Sequence, residues 1–344
     1  LDTLRKDHLS CYGYDRETTP FIDSLAKQGR KYERIHATSI WSLPSYASLF
    51  TGTLPVEHEA VDWNRNVKKN NLVDSLNEEG YTTQSASPHL VQGEFGLAAA
   101  FDTADNIRVQ WRDPPYEEDQ VFDELRRANR AGEYDSWLEI LEDGVRSMIS
   151  TKSVKLIPNA LHYVWHKFLN QTGYWGDDGA NGVLTRGTEL IQKAEKPHFT
   201  FLNFIEPHGP YRPPKSYVYQ YLDNQTLTSE INEVVEKSYL GALLGDVQFS
   251  KVERELLQAL YDAEIRYLDD QIRDFFVQLK EQGDLENTII IVTSDHGEAF
   301  GEGGLWGHQG RIHNRLSNVP LIIWRDGDPG TTVHTERVGS QREI

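Results

Sequence analysis

The chain has 344 residues, a formal net charge of −18 at pH 7, 38% hydrophobic residues and a single cysteine. A surface this acidic repels phosphate backbones and argues against a general nucleic-acid partner, one thiol makes no internal disulfide, and no run approaches the ~20 apolar residues that span a bilayer. The apolar and aromatic content suffices for a large core and excludes a disordered chain, while the acid excess, with Lys scarcer than Arg, suits either an ordinary solvated surface or a halophilic one.

The chain opens on Asp2-Thr3-Leu4-Arg5, which has the look of a polar turn. Thr19 as a cap, Pro20 in the first turn, Phe21 and Leu25 on one face and Gly29 beyond the end predict a helix. A second short helix is predicted from Ser42 to Gly52. A hydroxyl at its start lies beside free N–H groups and the positive end of the helix dipole. Ser42 is then either an ordinary N-cap or a nucleophile that meets a tetrahedral anion.

Tyr81 to Ser87 reads as a strand after a helix that ends at Gly80. Residues from about 105 to 197 read as an insertion of helices and loops, with one helical piece at Asp135 to Ser150, and not as a separate domain. Phe199 to Phe204 is a short apolar strand. It exits into Glu206-Pro207-His208-Gly209-Pro210-Tyr211, which holds His208 between prolines. Such a histidine is either structural or placed to protonate a leaving group.

Tyr261, Ile265, Leu268, Ile272, Phe275 and Leu279 step by fours and threes and predict an amphipathic helix stopped at Gly283. Thr288 to Thr293 is β-branched without alternation, which predicts a strand buried on both faces of a parallel sheet. That strand runs straight into Ser294-Asp295-His296-Gly297. Ligands of open α/β sheets bind beyond the carboxyl ends of strands, and a carboxylate beside an imidazole can ligate a metal there. A plain polar turn is the alternative. Val319 to Trp324 reads as another strand, and the helix–strand alternation argues for α/β layering.

In this order these segments resemble the sulfatase family of the alkaline phosphatase superfamily, along nearly the whole chain. Asp2 to Tyr14 is similar to the first metal-ligand segment, and Thr18 to Ala26 to the helix after it. Ser42-Leu43-Pro44-Ser45, running to Leu49-Phe50-Thr51-Gly52, falls on the nucleophile signature. Glu206 to Tyr211 looks like the substrate-side histidine segment, and Ser294 to Glu298, continued by Gly301-Glu302 and Gly307-His308, like the second metal segment.

The resemblance implies an α/β fold with a mixed, mainly parallel central sheet and helices on both faces. Residues 1–344 would form a single catalytic domain carrying the insertion at about 105–197. That fold has a strand before Asp2 and more sheet after Leu321, so the sequence reads as a piece cut at both ends, and its compartment stays open.

The resemblance also implies site roles. Asp2, Asp295 and His296 would hold one divalent cation, with Ca2+ favoured over Mg2+, Mn2+ and Zn2+. Ser42 would be the nucleophile, and His208, His308 and His89 would contact the anion. The substrate would be a small sulfate or phosphate ester, borne on a sugar for example. Three departures stand against the family pattern: Ser42 at a position usually Cys, Tyr46 at one usually Arg, and Thr3 at one often Asp. The first two argue against conversion of Ser42 to formylglycine, and the third leaves a hydroxyl or nothing as a metal ligand at that position.

Three readings follow: a metal-dependent sulfate-ester hydrolase, a phosphodiesterase, phosphatase or phosphoryl transferase using Ser42 directly, and an inactive metal-binding relative. His313 is either a support for a second metal or a surface residue. Trp111, Trp137, Trp165 and Trp175 are either ring-stacking residues of the insertion or core.

Overall fold

The computed structural model describes residues 1–61, 71–88, 97–107, 176–222, 229–235, 237, 239–333 and 338–344. The first strands are β1 (Arg30–Tyr32), β2 (Ile35–His36), β3 (Thr82–Ser87), β4 (Thr103–Asn106) and β5 (His198–Leu202). Then follow β6 (Ile289–Thr293), β7 (Ala299–Phe300), β8 (Trp306–Gly307), β9 (Asn318–Val319), β10 (Leu321–Arg325), β11 (Thr331–Val333) and β12 (Gly339–Ser340). The helices that matter for the site are α1 (Pro20–Gln28), α2 (Ser42–Thr51), α3 (Ala180–Lys193) and α4 (Lys251–Gln282).

The fold is mixed α/β. One sheet has the order β4-β3-β5, parallel throughout, and another the order β11-β1-β10-β6, with β10 antiparallel to both neighbours. The expected strand at Thr288 to Thr293 is present as β6. Its predicted surroundings are not: β6 pairs antiparallel to β10, and Ile289 and Ile291 are 60% and 46% exposed. Among the described residues β10 is its one strand partner, so a β-branched run here sits at a sheet edge.

The long helix α4 organises the core. Ser250 and Glu253 cap its start reciprocally, Ser250 Oγ accepting the Glu253 N–H and the Glu253 carboxylate accepting the Ser250 N–H, and Gly283 ends it at φ 77°. Leu257, Leu260, Tyr261 and Ile265 pack with Leu4, Leu9, Ile22, Leu25 and Ile322 in one cluster. The start of α1 is capped from this helix. Thr19, the expected cap, makes no capping bond, and Asp269 accepts the N–H groups of Phe21 and Ile22 at 2.8 Å each. Burial pushes the Asp269 carboxyl up to about 7 although both N–H groups pull it down.

On the parallel sheet, α3 packs Val183, Leu184 and Leu190 against Phe204 and Leu268. The ends of the expected insertion, 105–107 and 176–197, carry the last part of β4 and α3. Its remainder, with the predicted piece at Asp135 to Ser150 and the four tryptophans, lies outside the described residues.

Candidate active site

Two segments far apart in sequence meet at the exits of β5 and β6. The Asp2 N–H donates to the Phe204 carbonyl at 2.9 Å. Ser294 Oγ accepts the Leu4 N–H at 2.9 Å and lies 2.8 Å from the Leu1 carbonyl. Tyr261 of α4 accepts the Arg5 N–H at 2.8 Å and donates to the Thr3 carbonyl at 2.7 Å. Arg5 in turn reaches the Glu298 carbonyl at 3.1 Å. These bonds fix the first segment against the second before any ligand is considered.

Asp2, Asp295 and His296 are brought together as expected, all buried, with one candidate ligand atom from each within 4.8 Å of the others. Asp295 divides its oxygens. Oδ1 accepts the N–H groups of Thr3 and His296 at 3.1 and 2.8 Å, and Oδ2 is buried with no hydrogen-bond partner. Asp2 Oδ1 is likewise buried and unpartnered. His296 Nδ1 lies 2.9 Å from its neighbour's carbonyl, Gly297 O, which places the proton on Nδ1 and leaves the Nε2 lone pair for a metal.

Burial, with the Asp295 charge next, pushes the Asp2 carboxyl well above the usual carboxylate range. Two orphaned carboxylate oxygens and a lone pair converging in a dry pocket are the donor set of a divalent cation, so these residues fit the metal that the resemblance implied. Thr3, which departs from the resembled family pattern, has φ 54°, unusual for a β-branched residue, and its buried Oγ1 makes no hydrogen bond.

Gly297 is required by packing. A Cβ there would lie 2.0 Å from the Arg315 carbonyl oxygen, and the Gly297 N–H already donates to Leu316 O at 2.7 Å. Gly297→Ala is expected to cost at least about 3 kcal/mol of stability, because the new methyl meets a backbone carbonyl that has no side-chain freedom to move aside. Chemical denaturation measures it, and an unchanged midpoint contradicts this packing.

Ser42 is the first residue of α2, one position past its N-cap, Trp41. Its Oγ lies 3.2 Å from His296 Nε2, so the ordinary N-cap role gives way to a position beside the metal ligands. Two further histidines complete the arrangement. The His308 ring centroid is 4.7 Å from that of His296 and 5.2 Å from that of His208.

Their charges differ. His308 Nδ1 is 3.3 Å from the buried Glu298 Oε1. Burial opposes a charge on His308, but Glu298, then Asp2 and Asp295, outweigh it and hold the pKa up at about 9. Burial, with the His308 charge next, pushes His208 down to about 4, and its Nδ1 lies 2.6 Å from Gly209 O. Of these two anion-contact candidates, His308 therefore carries the positive charge and His208 is neutral near pH 7 with a free Nε2.

His89 lies outside the described residues. His313 is the N-cap of a four-residue helix, its Nδ1 accepting the Arg315 N–H at 3.2 Å.

Glu298 and Tyr261 were not assigned roles from sequence. Glu298 had a usable signal, an acid two residues beyond a candidate ligand; the reach of Tyr261 to Thr3 across 258 positions had none.

Glu206 buttresses the His208 segment from behind. Its Oε1 accepts the Ala180 N–H at the start of α3 at 2.9 Å, and its buried Oε2 has no partner. Burial, then Asp178 and Asp177, push its pKa from 4.5 up to about 8. The folded chain thus keeps a proton that the unfolded chain loses first. Stability is full below the unfolded value and falls as pH rises towards the folded one, by at most about 5 kcal/mol. Glu206→Gln is expected to remove this slope and to melt higher than the wild type above pH 8. Parallel melting-temperature profiles of the two proteins against pH contradict it.

A sequence model described as Sulfatase matches residues 1–342. The chain belongs to the sulfatase family. Among curated members it is 26% identical to an arylsulfatase of Clostridium perfringens, covering 96% of this chain and 67% of that protein. It is 25% identical to the iduronate 2-sulfatase of Mus musculus, covering 95% and 58%. This sulfatase-family chain thus spans about three fifths to two thirds of the length of these relatives. Its fold is that of the phosphonate monoester hydrolase of Agrobacterium radiobacter, with a TM-score of 0.64 at 20% identity over 100% of this chain and 70% of that one. These curated relatives are, by their names, hydrolases of sulfate esters.

Proposed function

We propose that the chain hydrolyses a sulfate ester with Ser42 as the nucleophile and one divalent cation held by Asp2, Asp295 and His296. The observation that carries this reading is Ser42 Oγ, 3.2 Å from an imidazole nitrogen that faces two unpartnered, buried carboxylate oxygens. When bound, the cation would supply a Lewis acid that favours the ionised form of the nucleophile at position 42, formylglycine hydrate for a sulfate ester or serine for a phosphate ester, and draws charge from an ester oxygen. Two carboxylates and one imidazole suit Ca2+, with Mg2+, Mn2+ and Zn2+ as the other candidates.

The protein's own groups do the rest. Glu298 holds the His308 ring by Nδ1, so that its cationic edge meets the anionic ester and donates to an oxygen. His208, neutral with Nδ1 turned to Gly209 O, offers Nε2 as the site at which a proton is taken up or passed on. The relatives named above act, by their names, on aryl and iduronate sulfates, and a sulfate ester on a ring is the substrate class proposed here.

A second reading, phosphoryl chemistry at an unmodified Ser42, is favoured by Tyr46. Where the resembled maturation signature has Arg, the Tyr46 hydroxyl is engaged with Asn203 at 2.6 Å. Mass analysis of the peptide holding Ser42 separates the two. Formylglycine supports sulfate esters, and plain serine moves the proposal to phosphate esters.

A further inference from the structure

Tyr46 stands one helical turn beyond Ser42 on α2, and positions four apart share a face of a helix. Its hydroxyl donates to Asn203 Oδ1 at 2.6 Å, and Asn203 Nδ2 donates to Ser87 Oγ at 3.2 Å. All three residues are buried. Asn203 is fixed as well by its own N–H on the Ala86 carbonyl at 3.0 Å. The next residue, Phe204, carries the carbonyl that holds the Asp2 N–H. The exit of β5 is therefore a common anchor for a metal-ligand residue on one side and, through Tyr46, for the helix of Ser42 on the other.

We infer that Tyr46 is a positioning residue, whose hydrogen bond to Asn203 holds α2 so that Ser42 Oγ stays beside the metal ligands. This rests on the proposed role of Ser42. Burial, then the charges of Asp295 and Asp2, keep the phenol protonated, so it is a permanent donor to Asn203 Oδ1. The ring has a separate task, packing edge-on against Phe201 with centroids 6.1 Å apart. Removing the hydroxyl therefore frees the helix by a fraction of an ångström without emptying the core, and displacements of that size suffice to slow a reaction that depends on in-line approach.

The test is steady-state kinetics of Tyr46→Phe, Asn203→Ala and the double variant on an ester that the wild type turns over, with metal affinity and melting temperature measured beside them. We expect kcat to fall about 10- to 100-fold in each single variant, KM and metal affinity to stay within about twofold, and the double variant to be no slower than the worse single. A purely structural role moves the melting temperature and leaves kcat unchanged well below it; that result overturns the inference. Should Tyr46→Phe not fold, Asn203→Ala makes the same comparison. A wild type inactive on every ester, or Ser42→Ala as active as the wild type, overturns the reading of Ser42 and this inference with it; unchanged kcat in the Tyr46 and Asn203 variants beside a dead Ser42→Ala overturns the inference alone.

Discussion

Ser42→Ala is expected to lower turnover by at least about 10³-fold while the fold and the metal site persist. The expectation of a clean loss comes from the geometry. Ser42 is the first residue of α2 and not its N-cap, which is Trp41, and its hydroxyl bonds to His296, so alanine removes no capping support from the helix. Its hydroxyl touches His296 Nε2, which remains in place with Asp2 and Asp295 when the hydroxyl goes. Turnover, metal content and melting temperature measured on the same sample give the answer. Activity within tenfold of the wild type contradicts a nucleophile at this position, and loss of metal along with activity contradicts a metal site that persists without Ser42.

Asp295→Asn is expected to lose metal and activity together, with metal affinity falling at least about 10²-fold. The substitution is selective. An amide oxygen in the place of Oδ1 can still accept the Thr3 and His296 N–H groups, so the link between the two segments survives. The amide nitrogen then replaces Oδ2, the oxygen that accepts no hydrogen bond and lies 3.3 Å from His296 Nε2, and turns a donor toward the cation.

The variant has a second signature. Asp295 is the largest charge opposing ionisation of Asp2, so the chelated variant should melt no lower than the chelated wild type, while the wild type gains far more from added cation. Retained metal binding in Asp295→Asn, measured by titration calorimetry, contradicts the ligand role.

Much of this site was legible in the sequence because its parts are local. Asp295-His296-Gly297 directly follows a strand, Ser42 precedes a helix, and His208 sits between prolines; each pattern ties chemistry to a few adjacent residues. What escaped depends on contacts across the chain. The cap of α1 comes from Asp269 on α4, 248 positions from Phe21, and Thr19 gave no hint of it. The β-branched run of β6 reads the same whether a strand is central or at an edge, since burial is decided by neighbours that a local pattern does not specify. The charges of His208 and His308 were not legible either, because they depend on which ring meets Glu298.

The central claim is ester hydrolysis by Ser42 at a metal site built from Asp2, Asp295 and His296. Its most direct test is turnover of a panel of aryl sulfates, phosphates and phosphodiesters by the wild-type chain after chelation and after refilling separately with Ca2+, Mg2+, Mn2+ and Zn2+, with Ser42→Ala as the control. The account predicts no turnover in the chelated protein, restoration on at least one ester by at least one of these cations, and none in Ser42→Ala under the same conditions. Turnover that survives chelation, turnover undiminished in Ser42→Ala, or a refilled wild type inert on every ester would contradict it.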